Sequence, residues 1–149
     1  MRAIIALALA SFLTAPALAQ EDYEPGEPRW SFAIHGGAGT IERANMTPEQ
    51  EAEYRAALDA ALEAGSAILR DGGSAMDAVT AAITLMEDDP KFNAGRGAVF
   101  TWDGTIEHDA ALMDGRDRSA GAVTGIGTVR HPILLAQEVM RDGRHVFLS

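Results

Sequence analysis

Large apolar and small residues alternate over Trp30-Ser31-Phe32-Ala33-Ile34, a two-residue period that predicts a strand. The segment runs directly into a glycine turn, His35-Gly36-Gly37-Ala38-Gly39. The period then lengthens. Tyr54, Ala57, Leu58, Ala61, Leu62, Ile68 and Leu69 fall on one face at helical spacing. Upstream, Thr47-Pro48-Glu49-Gln50 offers a capping Thr, a proline suited to the first helical position and a Gln able to reach back to the cap. Gly72-Gly73 is the stop. A second helix is predicted from Ser74, with Asp77 three residues on and Met76, Val79, Ile83 and Met86 turned inward, so that two helices pack side by side.

From Ala98 the two-residue period returns. Ala98 to Trp102, a turn at Asp103-Gly104, Thr105 to Met113, a turn at Asp114-Gly115, and Ser119 to Val129 predict a three-stranded meander. Pro132 opens a last helix through Ile133, Leu134, Val139 and Met140, ending near Asp142-Gly143, and His145-Val146-Phe147-Leu148 begins another strand. A strand ending at Ser149 would leave sheet groups without neighbours, so the sequence reads as part of a longer domain. Repeats, low-complexity tracts and linkers are absent from the sequence.

Composition changes this picture at the N-terminus. Met1-Arg2, an apolar run from Ala3 to Leu13 and the ending Ala17-Leu18-Ala19 make residues 1–19 a secretory signal peptide, too short to span a bilayer. Cleavage would give a secreted or periplasmic chain from Gln20, with residues 20–29 an exposed lead-in rich in acid and proline. Loss of Arg2 leaves 11 basic against 22 acidic residues, a net charge of −11, which repels nucleic acid and anionic membranes. The absence of cysteine excludes disulfides, thiolate metal sites and a cysteine nucleophile. With 47% apolar residues the remainder can bury a core.

The glycine turn admits three readings. As a dinucleotide loop it fails, because Glu42 stands where a third glycine belongs and the capped helix begins too late. A His-Gly-Gly loop suits the oxyanion loop of a serine esterase, but the nearest nucleophile elbow, Gly72-Gly73-Ser74-Ala75-Met76, ends in Met, and Ser74 is accounted for as a helix cap. A plain tight turn is the third. Asn93-Ala94-Gly95-Arg96-Gly97 is a second glycine loop, fitting either a bend or an oxygen-ligated hard cation. The four histidines, His35, His108, His131 and His145, show no pairing at zinc-ligand spacing. Gly127-Thr128-Val129 has the form of a Gly-Thr-Val self-cleavage junction, but Arg130-His131-Pro132 and a helix follow where a liberated threonine should begin a buried strand, and a three-residue match carries little information.

Taken together, Ile34 to Gly39, Gly73 to Val79, Phe92 to Phe100, Glu107 to Gly115 and Ser119 to Val123 resemble the plant-type asparaginase/isoaspartyl aminopeptidase family, in order over nearly all of residues 30–149. The resemblance implies an α/β (α+β) fold, the αββα sandwich of the N-terminal-nucleophile hydrolases, incomplete in this chain, with residues 30–149 part of an α subunit. It implies a precursor that cleaves itself, freeing a threonine that is nucleophile while its own amine is base. That threonine would lie beyond Ser149, as would the oxyanion donors and substrate-clamping residues. The implied substrates are L-asparagine and β-aspartyl (isoaspartyl) dipeptides. The implied partners are a β subunit from the same precursor and a second αβ pair in an (αβ)₂ dimer.

By the same resemblance, His35, Gly36 and Gly37 belong to a loop that assists autocleavage, and Asn93 lies against the catalytic threonine in a supporting role. The backbone carbonyls of Met86, Glu87, Asp89, Phe92, Ala94 and Arg96 match a sodium-binding loop, and no cofactor is implied for catalysis itself. Carbonyl ligation depends little on side chains, so Asp89 and Arg96 are compatible with it. Two other readings remain beside this one: a glycosylasparaginase-like enzyme acting on asparagine-linked sugars, and a degenerate non-catalytic binding protein.

Overall fold

The structure is a computed structural model that describes residues 30–37 and 43–149. The proposed signal peptide, the lead-in, and Ala38 and Gly39 of the glycine turn lie outside the described residues. A short 3-10 turn at Arg43–Asn45 is followed by helix α1, Pro48–Arg70. Thr47 caps it as expected: its hydroxyl accepts from Gln50 N at 3.2 Å, and Gln50 Oε1 accepts from Thr47 N at 2.9 Å. Gly72 ends it at φ +81°. Helix α2, Ala75–Asp88, is capped by Ser74, whose hydroxyl accepts from Asp77 N.

The two helices pack through small residues. Ala61, Gly65, Ala78 and Ala82 are buried, whereas Met76, Val79, Ile83 and Met86 are half-buried. A Cβ on Gly65 would stand 3.0 Å from the Ala78 carbonyl and 2.3 Å from the Phe32 ring, so its bare backbone admits both. Phe32 arrives from the segment predicted as the first strand. Residues 30–37 form no strand, because no neighbouring strand pairs with them among the described residues. The period of two survives as burial: Phe32, Ile34 and Gly36 are half-buried, while Ser31, Ala33 and His35 face outward.

The predicted meander is shortened at both ends. Ala98–Trp102 is not a strand; one bridge, Phe100 to Ile106, closes a hairpin around Gly104 at φ +76°. Trp102 at its tip is 100% exposed, and Phe100 and Ile106 of the bridge are exposed as well, so little apolar burial among the described residues stabilises the pair. Strand β1, His108–Met113, pairs antiparallel with β2, Ala120–Ile126. β2 stops at Ile126, short of Val129. Its pairing with β1 is irregular between His108 and Ala110, where Gly125 turns to φ +65° and the Asp109 carboxylate accepts from Thr124 Oγ1 and Gly125 N, and pairing resumes at His108 with Ile126. Helix α3, Pro132–Asp142, ends at left-handed Gly143 and leads into β3, Phe147–Leu148, parallel to β2. The sheet order is β1-β2-β3.

α3 covers one face of that sheet. Leu112, Val123, Ile133, Ala136 and Val139 form the core cluster, joined by Met76 and Ile83 of α2. Among the described residues no helix is long and apolar enough to cross a membrane.

The β1–β2 turn carries a titratable latch. Asp114 accepts from Arg116 N at 2.9 Å and from the Arg116 guanidinium, whose bonds hold its carboxyl down to about 2. A lowered carboxyl stabilises the fold above its unfolded value of about 4, and that contribution disappears as pH falls through about 2. Urea midpoints measured from pH 5 to pH 2 are therefore expected to fall more steeply for the native protein than for Asp114→Asn. Parallel slopes would remove Asp114 from the acid response.

Candidate functional site

The site is built where the glycine turn meets the loop after α2. His35 Nδ1 accepts from Gly37 N at 3.1 Å, which leaves Nε2 as the ring's donor. Gly37 sits at φ +107°, a conformation costly for any side chain. Gly36 lies beneath α1: a Cβ there would be 3.1 Å from Leu58 Cδ2 and 3.6 Å from the Phe92 ring. Phe92 is 3% exposed and meets Tyr54 edge to face with ring centroids 6.4 Å apart. One buried ring thus joins the His35–Gly37 turn to the Asp89–Val99 loop. Ala94 of that loop and His35 line a common apolar groove with Ile34 and Met86.

The loop folds on main-chain bonds. Asp89 N donates to Met86 O, Phe92 N to Asp89 O, Ala94 N to Phe92 O and Gly97 N to Ala94 O, at 2.8–3.3 Å. A Cβ on Gly95 would stand 2.3 Å from the Glu87 carbonyl oxygen, and one on Gly97 would stand 2.2 Å from that of Phe92 and 2.7 Å from that of Pro90. The glycines are therefore what lets these carbonyls crowd inward. Each carbonyl has two lone pairs and the turn bonds use one, so Met86, Glu87, Asp89, Phe92, Ala94 and Arg96 offer oxygens of the type a hard cation takes. Among the described residues no cluster of three or more His, Asp or Glu side chains could hold a metal. Partial burial pushes the Asp89 carboxyl up, but the Lys91 N–H and ammonium outweigh it and hold it below its ordinary value.

Asn93 is exposed at the start of this loop, and its Oδ1 accepts from Val99 N at 3.0 Å. That bond assigns the amide orientation and leaves Nδ2 as the donor end. Asn93 lines a cavity with Glu87, Gly95, Val99, His108 and Pro132. The structure therefore brings the carbonyl loop, Asn93 and the glycine turn to one end of the helix pair. Thr128 is exposed beyond the end of β2, and the following Val129 and Arg130 line a cavity with Gly95 and Arg96.

Sequence reasoning missed a buried polar knot beside this cavity. The Glu87 side chain is 4% exposed, with Oε1 accepting from Ile133 N at 3.0 Å and Oε2 3.3 Å from His131 Nδ1. Burial pushes the Glu87 carboxyl up; the Ile133 N–H and His131 oppose this, Asp88 adds to it, and the result lies above the ordinary value. Asp88 in turn accepts from Arg130 Nε at 2.9 Å and stands 3.7 Å from His131 Nε2. A signal was present: His131 precedes a helix-opening proline and is not one of the usual capping residues, so the cap had to come from elsewhere.

Similarity to known proteins extends over most of the chain. The profile of the family described as Asparaginase matches residues 28–149. An isoaspartyl peptidase of Salmonella typhimurium is 53% identical over 117 residues, which are 78% of this chain and 37% of that protein. The isoaspartyl peptidase of Escherichia coli is 52% identical over 117 residues, 78% of this chain and 36% of its own length. The isoaspartyl peptidase/L-asparaginase of Rattus norvegicus is 40% identical over 140 residues, 90% of this chain and 41% of that protein. The chain thus spans well under half the length of the curated relatives it matches.

Proposed function

The chain belongs to the asparaginase family, and from that premise we propose that it is the N-terminal part of a self-cleaving amidohydrolase acting on L-asparagine and β-aspartyl dipeptides. The observation that carries the reading is the identity of 52–53% to two isoaspartyl peptidases over 117 residues, and the packing of Gly36 by the Phe92 ring, next in sequence to Asn93, supports it. The nucleophile is a threonine supplied by a following segment, freed when the precursor cuts itself. A hydroxyl at neutral pH needs a base, and the amine released by cleavage is one already placed by covalent geometry.

In this reading the glycine turn shapes the scissile segment and the Asn93 amide nitrogen donates to the threonine oxygen. The carbonyls of Met86, Glu87, Asp89, Phe92, Ala94 and Arg96 are the oxygens that would hold a sodium ion, which would supply positive charge to cross-link the loop and take no part in bond making. The parent is an αββα sandwich assembled as (αβ)₂ and exported under the direction of residues 1–19. The small α+β sheet with α3 on one face is consistent with one half of such a sandwich.

The test is to express the full reading frame containing this chain and examine it on a denaturing gel with an assay for aspartate released from β-Asp-Leu and from L-asparagine. Two bands, a threonine at the start of the smaller chain and release of aspartate are expected. A single uncut band without activity would sink the proposal.

A further inference from the structure

Resting on the reading of Asn93 just given, we propose that Glu87 is a positioning residue for Asn93, its buried carboxylate clamping the loop that carries the amide onto the start of α3. The bond from Ile133 N to Glu87 Oε1 joins residues 46 apart in sequence. Ile133 is in the first turn of α3, where amides have no partner within the helix, and His131 at the cap position makes no side-chain cap bond. Glu87 fills that role from another helix.

The same residue bears directly on the loop. Its carbonyl oxygen, Cα and Cβ stand 2.3, 2.8 and 2.8 Å from where a Cβ on Gly95 would lie, so the Gly95 backbone rests against Glu87. Gly95 is two residues from Asn93, and Asn93 is tied at the loop's far end to Val99 N. Glu87, Asn93, Gly95 and Pro132 line one cavity. The carboxylate fixes the end of α2 to the start of α3, and the Glu87 main chain and Cβ, held there, meet Gly95, so a shift of this end of α2 is passed to the Asn93–Val99 loop. A packing role alone would be met by Leu or Met, since burying a carboxylate is costly unless its bonds are used.

Three variants of the full-length protein test this. Glu87→Gln keeps the length and one acceptor oxygen; Glu87→Ala removes both; Glu87→Met keeps the volume alone and serves if the alanine variant does not fold. For Glu87→Ala or Glu87→Met, kcat on β-Asp-Leu is expected to fall about thirtyfold with KM within about twofold. Hydrogen-exchange protection of the Val99 amide is expected to fall about tenfold while that of α1 is unchanged. Glu87→Gln should restore most of both. A folded alanine or methionine variant with native kcat and native Val99 protection would overturn the proposal. So would equal losses of protection in α1 and at Val99, which would mark Glu87 as a general stabiliser. If the native protein itself releases no aspartate, the amidohydrolase reading fails, and Val99 protection still decides whether Glu87 holds the loop.

Discussion

Gly121→Ala is expected to destabilise the fold by about 3 kcal/mol, the upper end of what overpacking costs. A Cβ at this position in β2 would stand 2.1 Å from the Ala136 carbonyl oxygen, 2.5 Å from Met140 N and 2.9 Å from Met140 Cβ. All three belong to the body of α3, so no rotamer change relieves the overlap. Helix and strand must separate, and the core of Leu112, Val123, Ile133 and Ala136 opens with them. Gly65→Ala meets a different neighbour, the Phe32 ring at 2.3 Å, which can swing away at smaller cost. Urea unfolding of the two variants measures the contrast. A Gly121→Ala midpoint equal to that of the native protein would mean that α3 does not lie on β2 as described.

Gly95→Ala should lower kcat on β-Asp-Leu about a hundredfold, the scale of loss that follows a displacement near 1 Å at a reacting centre. Two penalties combine at this position. The residue sits at φ +51°, and a Cβ would press on the Glu87 carbonyl oxygen at 2.3 Å, pushing the Asn93 loop off α2. Gly104→Ala is the matched control, because its φ of +76° carries the backbone strain while nothing lies within 4 Å of its Cβ. The control should lose about 1 kcal/mol of stability and keep its activity. Equal activity in the two variants would mean that the loop tolerates the displacement and that the site does not depend on it.

Local signals in the sequence were reliable here, and signals that depend on a neighbour were not. Thr47 with Gln50, Ser74 with Asp77, and Gly143 each act within a few residues, and each marks a helix boundary where expected. A strand needs a second strand, which the alternation of Trp30 to Ile34 cannot supply, so the pattern is expressed only in which side chains are covered. Ala98–Trp102 failed for the same reason, and the irregularity that the Asp109 carboxylate bridges within the β1–β2 pairing depends on a residue of the neighbouring strand. At the site, the resemblance picked out His35–Gly37, Asn93 and the carbonyl loop; in the fold Gly36 lies by the Phe92 ring of that loop, while the roles assigned to these residues belong to the proposal. That α3 lacks a cap of its own was legible at His131, but not that Glu87 supplies it, because the bond joins two helices separated by the hairpin and both principal strands.

The difference between the caps of α1 and α3 bears on the order in which the chain can assemble. α1 has 23 residues and a reciprocal cap drawn from its own first turn, so everything needed to nucleate it lies within one contiguous stretch. α3 has 11 residues, below the length at which an isolated helix holds in water, and its cap is a carboxylate on α2. Closing that contact requires the loop entropy of the intervening chain to be overcome first. α3 is therefore expected to mature only after α2 has come to rest beside it, and the Asn93 loop, which packs on Glu87 through Gly95, to take its final shape no earlier than α2.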